Sequence, residues 1–98
     1  MVPWENLIVA LIQNYKMNSL IVKYINTGNL YKVVDDNAVM KHPVTRKWEP
    51  AVVYKSYKLL EPTGEYRELG DSDSDEIKKT FIRLKSEFLQ KFETVLDL

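Results

Sequence analysis

Thr80-Phe81-Ile82-Arg83-Leu84-Lys85-Ser86-Glu87-Phe88-Leu89-Gln90-Lys91-Phe92 is the stretch on which the fold turns, because it supports two parses. With Ile77 before it and Val95 after it, Phe81, Leu84, Phe88 and Phe92 trace one helical stripe, and Asp73 with Glu76 matches a capping-box spacing. Periodicity alone therefore predicts one long helix. The competing parse makes Thr80 to Arg83 a strand and starts the helix near Lys85, with Phe88, Leu89 and Phe92 as its buried residues.

Upstream, Asp71, Ser72, Asp73, Ser74 and Asp75 follow the breaker Glu61-Pro62-Thr63-Gly64, so residues 61–78 read as an exposed acidic loop. A calcium loop would need a central glycine and a distant bidentate glutamate; Gly70 precedes the acidic run and Glu76 comes too early. No metal is expected.

Residues 20–60 read as two β-hairpins. Leu20, Ile21, Val22, Tyr24 and Ile25 suit a buried strand, and Asn26-Thr27-Gly28-Asn29 turns the chain into Leu30-Tyr31-Lys32-Val33-Val34. Asp35-Asp36-Asn37 predicts a further turn. Ala38 to Lys41 and Ala51 to Leu59 form the second pair of strands, with Val53, Tyr57 and Leu59 on one side and Val52 and Tyr54 on the other. The connection holds His42, Pro43, Thr45, Arg46, Lys47, Trp48 and Pro50, whose prolines argue against a regular central strand.

Residues 1–18 predict an N-terminal helix: Pro3 suits an early helical position, and Trp4, Leu7, Ile8, Leu11, Ile12 and Tyr15 fall on one stripe. The apolar run Leu7 to Ile12 is too short to span a membrane, and the opening lacks the cationic start of a signal peptide. With no cysteine there is neither disulfide nor thiolate metal site, which suits a reducing, cytoplasmic setting.

A 98-residue chain with 45% apolar and 29% charged residues matches one ordinary globular domain rather than a disordered segment. The formal charge is zero, but residues 1–60 carry eight Lys/Arg against four Asp/Glu, and residues 61–98 carry six against ten. Such segregation either steers a charged partner to one face or cancels when the halves pack.

The order Gly28-Asn29-Leu30-Tyr31-Lys32-Val33, His42, Thr45, Val52-Val53-Tyr54, Tyr57, Phe81-Ile82-Arg83 and Glu87-Phe88 resembles the small bacterial and phage family catalogued as domain of unknown function 1653. The likeness runs from about Tyr24 to Phe92, with a longer acidic connection, and leaves the N-terminal helix outside. It implies a strongly bent antiparallel sheet or partly open barrel, and it singles out His42, Thr45, Tyr54 and Arg83 as site candidates. It also implies an aromatic strand ending in Arg, then Pro, then a short helix. On that ground residues 79–98 are taken as strand followed by helix, although Leu84 stands where the Pro is expected and leaves the break less securely enforced. The expected fold class is therefore α+β: a small bent antiparallel sheet flanked by an N-terminal and a C-terminal helix.

Familiar chemistry is missing. His42 is the single histidine, no serine lies in a nucleophile-elbow context, and three glycines cannot build a phosphate loop. Paired carboxylates could still do acid-base work if burial separated their pKa values, but Glu49, Glu61, Glu65 and Glu87 read as ordinary surface residues; no cofactor and a non-enzymatic role are the expectation. Two binding readings remain. A protein partner or second copy can dock on the stripe of Trp4, Leu7, Leu11 and Tyr15, supplied with aromatic and aliphatic anchors. Alternatively, Lys41, His42, Arg46, Lys47, Trp48, Lys55 and Lys58 offer cations for phosphates and an aromatic plane for an unpaired base. Against the second stands the chance that Trp48 simply packs into the core. The excess of Lys over Arg, with many Asn, Ile and Tyr, suits an A+T-rich bacterial or phage genome, and an accessory role on a host protein fits that origin.

Overall fold

The computed structural model describes residues 18–95. Six strands form one antiparallel sheet: β1 (Ile21–Tyr24), β2 (Leu30–Lys41), β3 (Trp48–Leu60), β4 (Tyr66–Glu68), β5 (Thr80–Leu84) and β6 (Phe92–Thr94). Two short helices interrupt them, α1 (Asp75–Lys78) before β5 and α2 (Lys85–Lys91) between β5 and β6. The α+β expectation of a sheet flanked by helices is thereby corrected: over the described residues the chain is mainly antiparallel sheet. The N-terminal helix expected over residues 1–18 lies almost wholly outside them.

The long β2–β3 hairpin is the spine. β1 and then β6 extend the sheet beyond β2, while β3 is flanked on its other side by β5 along Ala51–Lys55 and by β4 along Lys58–Leu60. In the β1–β2 hairpin the amides of Thr27 and Gly28 both donate to the Tyr24 carbonyl. Gly28 has φ +79°, and a Cβ there would lie 2.6 Å from Leu60 Cδ2. Glycine is therefore required by backbone conformation first and by contact second, because the leucine tip can move.

Two turn signals were absorbed into strands. Asp35-Asp36-Asn37 lies inside β2, where the register shifts between Val33 and Ala38. Asp35 Oδ1 accepts the Asn37 amide at 2.9 Å and Asn18 Oδ1 accepts the Asp36 amide at 3.0 Å. Local side-chain acceptors thus satisfy amides that leave the ladder, which makes bulges where a turn was expected. Pro50 sits in β3 opposite Val39, beyond the segment of β3 that β5 covers, so its missing N–H faces an open edge and breaks no ladder bond.

The acidic segment is more ordered than an exposed loop. Gly64, at φ +89°, closes a turn that folds β4 back on β3, and Arg67 of β4 pairs with Glu61. Arg67 also grips Asp73 through two bonds of 2.9 and 2.8 Å, and the Gly70 amide donates to Asp73 Oδ2 at 2.7 Å. The Asp73–Glu76 capping box does not form. Asp73 is committed to Arg67, Glu76 pairs with Lys79, and Ser74 caps α1 without a side-chain bond.

The helical stripe of the decisive stretch breaks twice. Lys79 is extended, and the ladder of β5 begins at Thr80 opposite Lys55, where it covers an otherwise open edge of β3. Leu84 then has φ −54° and ψ 137°, dihedrals close to those a proline ring favours, so the chain makes the strand-to-helix break without the proline. α2 ends after seven residues, where the expected helix continued. Phe92 is extended, donates its amide to the Phe88 carbonyl, and starts the pairing of β6 with β1.

The core lies between the curled sheet and α2. Val22, Val33, Val52, Tyr54, Phe88 and Phe92 form one buried cluster drawn from four strands and the helix. Phe88 and Phe92 stack at 4.4 Å with their planes 13° apart. Tyr54 meets both, at 5.4 and 5.0 Å. Fully burying each such ring contributes roughly 1.5–3 kcal/mol, which holds the seven-residue helix in place although its length alone would not.

Candidate functional site

The four residues singled out by resemblance divide between two places. His42 and Thr45 build the turn of the β2–β3 arm. His42 Nδ1 accepts the amides of Val44 at 3.0 Å and Thr45 at 3.3 Å, and Thr45 Oγ1 accepts the Lys47 amide at 3.4 Å. The backbone closes the turn through Lys47 O and His42 O, with Arg46 at φ +66°. The Nδ1 lone pair is thus occupied in shaping the turn, while Nε2 lies 3.9 Å from Glu49 Oε2.

Tyr54 and Arg83 meet elsewhere. Their strands are neighbours, and Arg83 Nε donates to the Tyr54 hydroxyl at 3.2 Å while Nη1 donates to Glu87 Oε1 at 2.9 Å. They share a cavity of ≈ 110 Å³ with Tyr24, Tyr31, Phe81 and Phe92. Five strands contribute to it, because the curl of the sheet brings β6 and β1 toward β3 and β5. The Arg83 guanidinium carbon lies 5.6 Å from the ring centres of both Tyr24 and Phe92. Burial, together with the neighbouring Tyr54, pushes the Tyr31 phenol above the usual tyrosine value, so it stays a neutral hydroxyl.

The arm carries the second candidate surface. Register places Lys41 opposite Trp48 and Val39 opposite Pro50, so these four residues share one face of the hairpin. Trp48 is 68% exposed and Val39 61%, and Lys41 Nζ lies 5.7 Å from the Trp48 ring centre. The reading that packs Trp48 into the core is thereby corrected; the core ends at Ala51, and the arm extends past it. Arg46, Lys47 and Val44 are also exposed at the tip.

Of the seven residues proposed for nucleic acid, the arm gathers Lys41, Arg46, Lys47 and Trp48, while His42 is engaged in the turn. Lys55 is seven residues along β3, about 23 Å of strand away. Lys58 is further still and lies 5.3 Å from the Tyr57 ring. Trp4, Leu7, Leu11 and Tyr15 lie outside the described residues.

Among the described residues no group of three or more His, Asp or Glu is placed to hold a metal ion, and no helix is long and apolar enough to cross a membrane. No protein-family model, curated protein or solved structure matches the chain. Tyr24, Tyr31, Phe81 and Phe92 of the Arg83 cavity were missed in the sequence, where they are scattered over four strands with no common spacing.

Proposed function

We propose that the protein is a non-enzymatic interaction module that docks a protein partner on the exposed face of its β2–β3 arm. One observation supports this: Val39, Pro50 and Trp48 form a strip on one face of a projecting hairpin, joined by Lys41. Trp and Arg are the side chains that most often anchor protein interfaces, and an apolar strip with a cationic end fits a partner groove with an acidic rim. A cysteine-free module suits the reducing cytoplasm, of a bacterium or of a phage host.

The same arm gives a second reading its specific support. Lys41, Arg46 and Lys47 surround an exposed indole, which is the combination that neutralises phosphates and stacks on an unpaired base. Val39 and Pro50 favour the protein reading, since neither contributes to phosphate or base recognition.

Tagged wild-type and Trp48→Ala proteins, incubated with nuclease-treated and untreated bacterial lysate, separate the two. A protein retained after nuclease treatment and lost with Trp48→Ala supports docking on the arm. Material lost on nuclease treatment moves the function to nucleic acid, and a partner captured equally by Trp48→Ala overturns the arm as the docking face. Light scattering on the purified chain tests whether the partner is a second copy.

A further inference from the structure

We propose that the cavity around Arg83 is a binding site for a small carboxylate carried on a flat, apolar body. It is separate from the arm and does not depend on the docking proposed there.

Arg83 is the cation among the cavity's six lining residues, and it is held rather than loose. Tyr54 fixes Nε and Glu87 fixes Nη1, while Nη2 makes no hydrogen bond among the described residues. The guanidinium therefore offers a free donor edge in a fixed orientation, so little ordering remains to be done when an acceptor arrives. Its side chain retains 25% exposure, so the cavity reaches solvent.

Charge selects the ligand class. Glu87 lies 2.9 Å from Arg83 Nη1 and also 4.0 Å from Lys91 Nζ. Two cations share one carboxylate, leaving one positive charge in surplus. That matches a monoanion. A phosphate dianion would call for a second cation in the cavity, and Arg83 is the cation among its lining residues. A cationic guest is disfavoured because Arg83 already occupies the position over the Tyr24 and Phe92 rings.

Shape selects the rest. The ≈ 110 Å³ cavity is somewhat smaller than the roughly 150 Å³ that takes a benzene molecule, but it is open on one side, so a single ring can enter part-way. The lining rings pack on one another with centroids 5.0–6.5 Å apart, so a flat guest lies against the exposed side of the cluster rather than between its rings. The guest's carboxylate would accept charge-assisted bonds from Arg83 Nη2.

Benzoate is the probe, with benzamide as its neutral counterpart, followed by calorimetry and by the NMR shift of the Arg83 Nε–H. Saturable benzoate binding that moves this signal, with benzamide at least about tenfold weaker, is the expected result. Arg83→Gln should abolish the difference between the two probes. Because Arg83→Gln can also disturb packing, Glu87→Gln, at a half-exposed position, provides an independent reading: removing a negative charge, while the amide oxygen can still accept from Nη1, should tighten benzoate several-fold. N-acetylphenylalanine tests the source, since tighter binding than benzoate assigns a polypeptide C-terminus and weaker binding a free aromatic acid. No saturable benzoate binding below about 10 mM, equal affinity for benzamide, or weaker binding to Glu87→Gln would overturn the proposal.

Discussion

The Tyr54 hydroxyl receives the Arg83 Nε–H at 3.2 Å, joining β3 to β5 across the aromatic cluster at a point where both residues also line the cavity. Tyr54 is 4% exposed, so its hydroxyl depends on this partner. Tyr54→Phe removes the bond without changing the ring, and should lower stability by about 1 kcal/mol in urea unfolding. The same substitution in an Arg83→Met background should cost clearly less, because the partner is already gone. Equal costs in the two backgrounds would show that the bond contributes nothing.

Lys85→Pro should stabilise the protein by about 0.4–1 kcal/mol. Leu84, the preceding residue, is already extended at φ −54° and ψ 137°, as a residue before proline must be, and Lys85 is the first residue of α2, where the amide has no intrahelical partner. A higher urea midpoint at unchanged slope is the expected result. A lower one would mean that the Lys85 amide or side chain has a role in the junction.

Gly28→Ala should destabilise by about 1–2 kcal/mol, chiefly through the left-handed backbone at φ +79°. Gly28→Asn should cost less, since asparagine tolerates that conformation. If the two variants melt alike, contact with Leu60 rather than backbone conformation sets the requirement for glycine.

The Asp73 clamp predicts a pH dependence. Hydrogen bonds from Arg67, then from the Gly70 amide, hold the Asp73 carboxyl well below its usual range. A folded-state value below the unfolded value of about 3.9 means that the unfolded chain binds the proton first. This contribution is therefore fully present above pH 5 and is lost as pH falls through the unfolded value toward the lower folded one. Asp73→Asn should flatten the fall of melting temperature between about pH 5 and 2. An unchanged profile would show that other carboxylates carry the acid sensitivity.

Trp48→Ala should leave stability within about 0.5 kcal/mol of wild type, as its ring is 68% exposed, while abolishing partner capture. A large drop in melting temperature would instead make the indole part of the arm's own packing.

The sequence by itself determined the pieces whose causes are local. Asn26 to Asn29 marks the first hairpin turn, the alternation of Val52 and Tyr54 with Val53 marks β3, and the absence of cysteine with one histidine removes thiolate and multi-histidine metal sites. Only tertiary structure decided what depends on partners far along the chain. The stripe from Ile77 to Val95 has a helical period, yet the open edges of β3 and β1 draw Thr80–Leu84 and Phe92–Thr94 into strands, because unpaired ladder groups and the burial of Phe92 outweigh a period that a short helix cannot exploit alone. Asp35 to Asn37 carries turn chemistry but is held in β2 because β3 pairs with the strand both before and after the bulges. Asp73 carries cap chemistry but is taken by Arg67, six residues upstream. The Arg83 cavity is the extreme case: its rings come from five strands, and the curl that gathers them is a property of the whole sheet, to which no single stretch of sequence gives a signal.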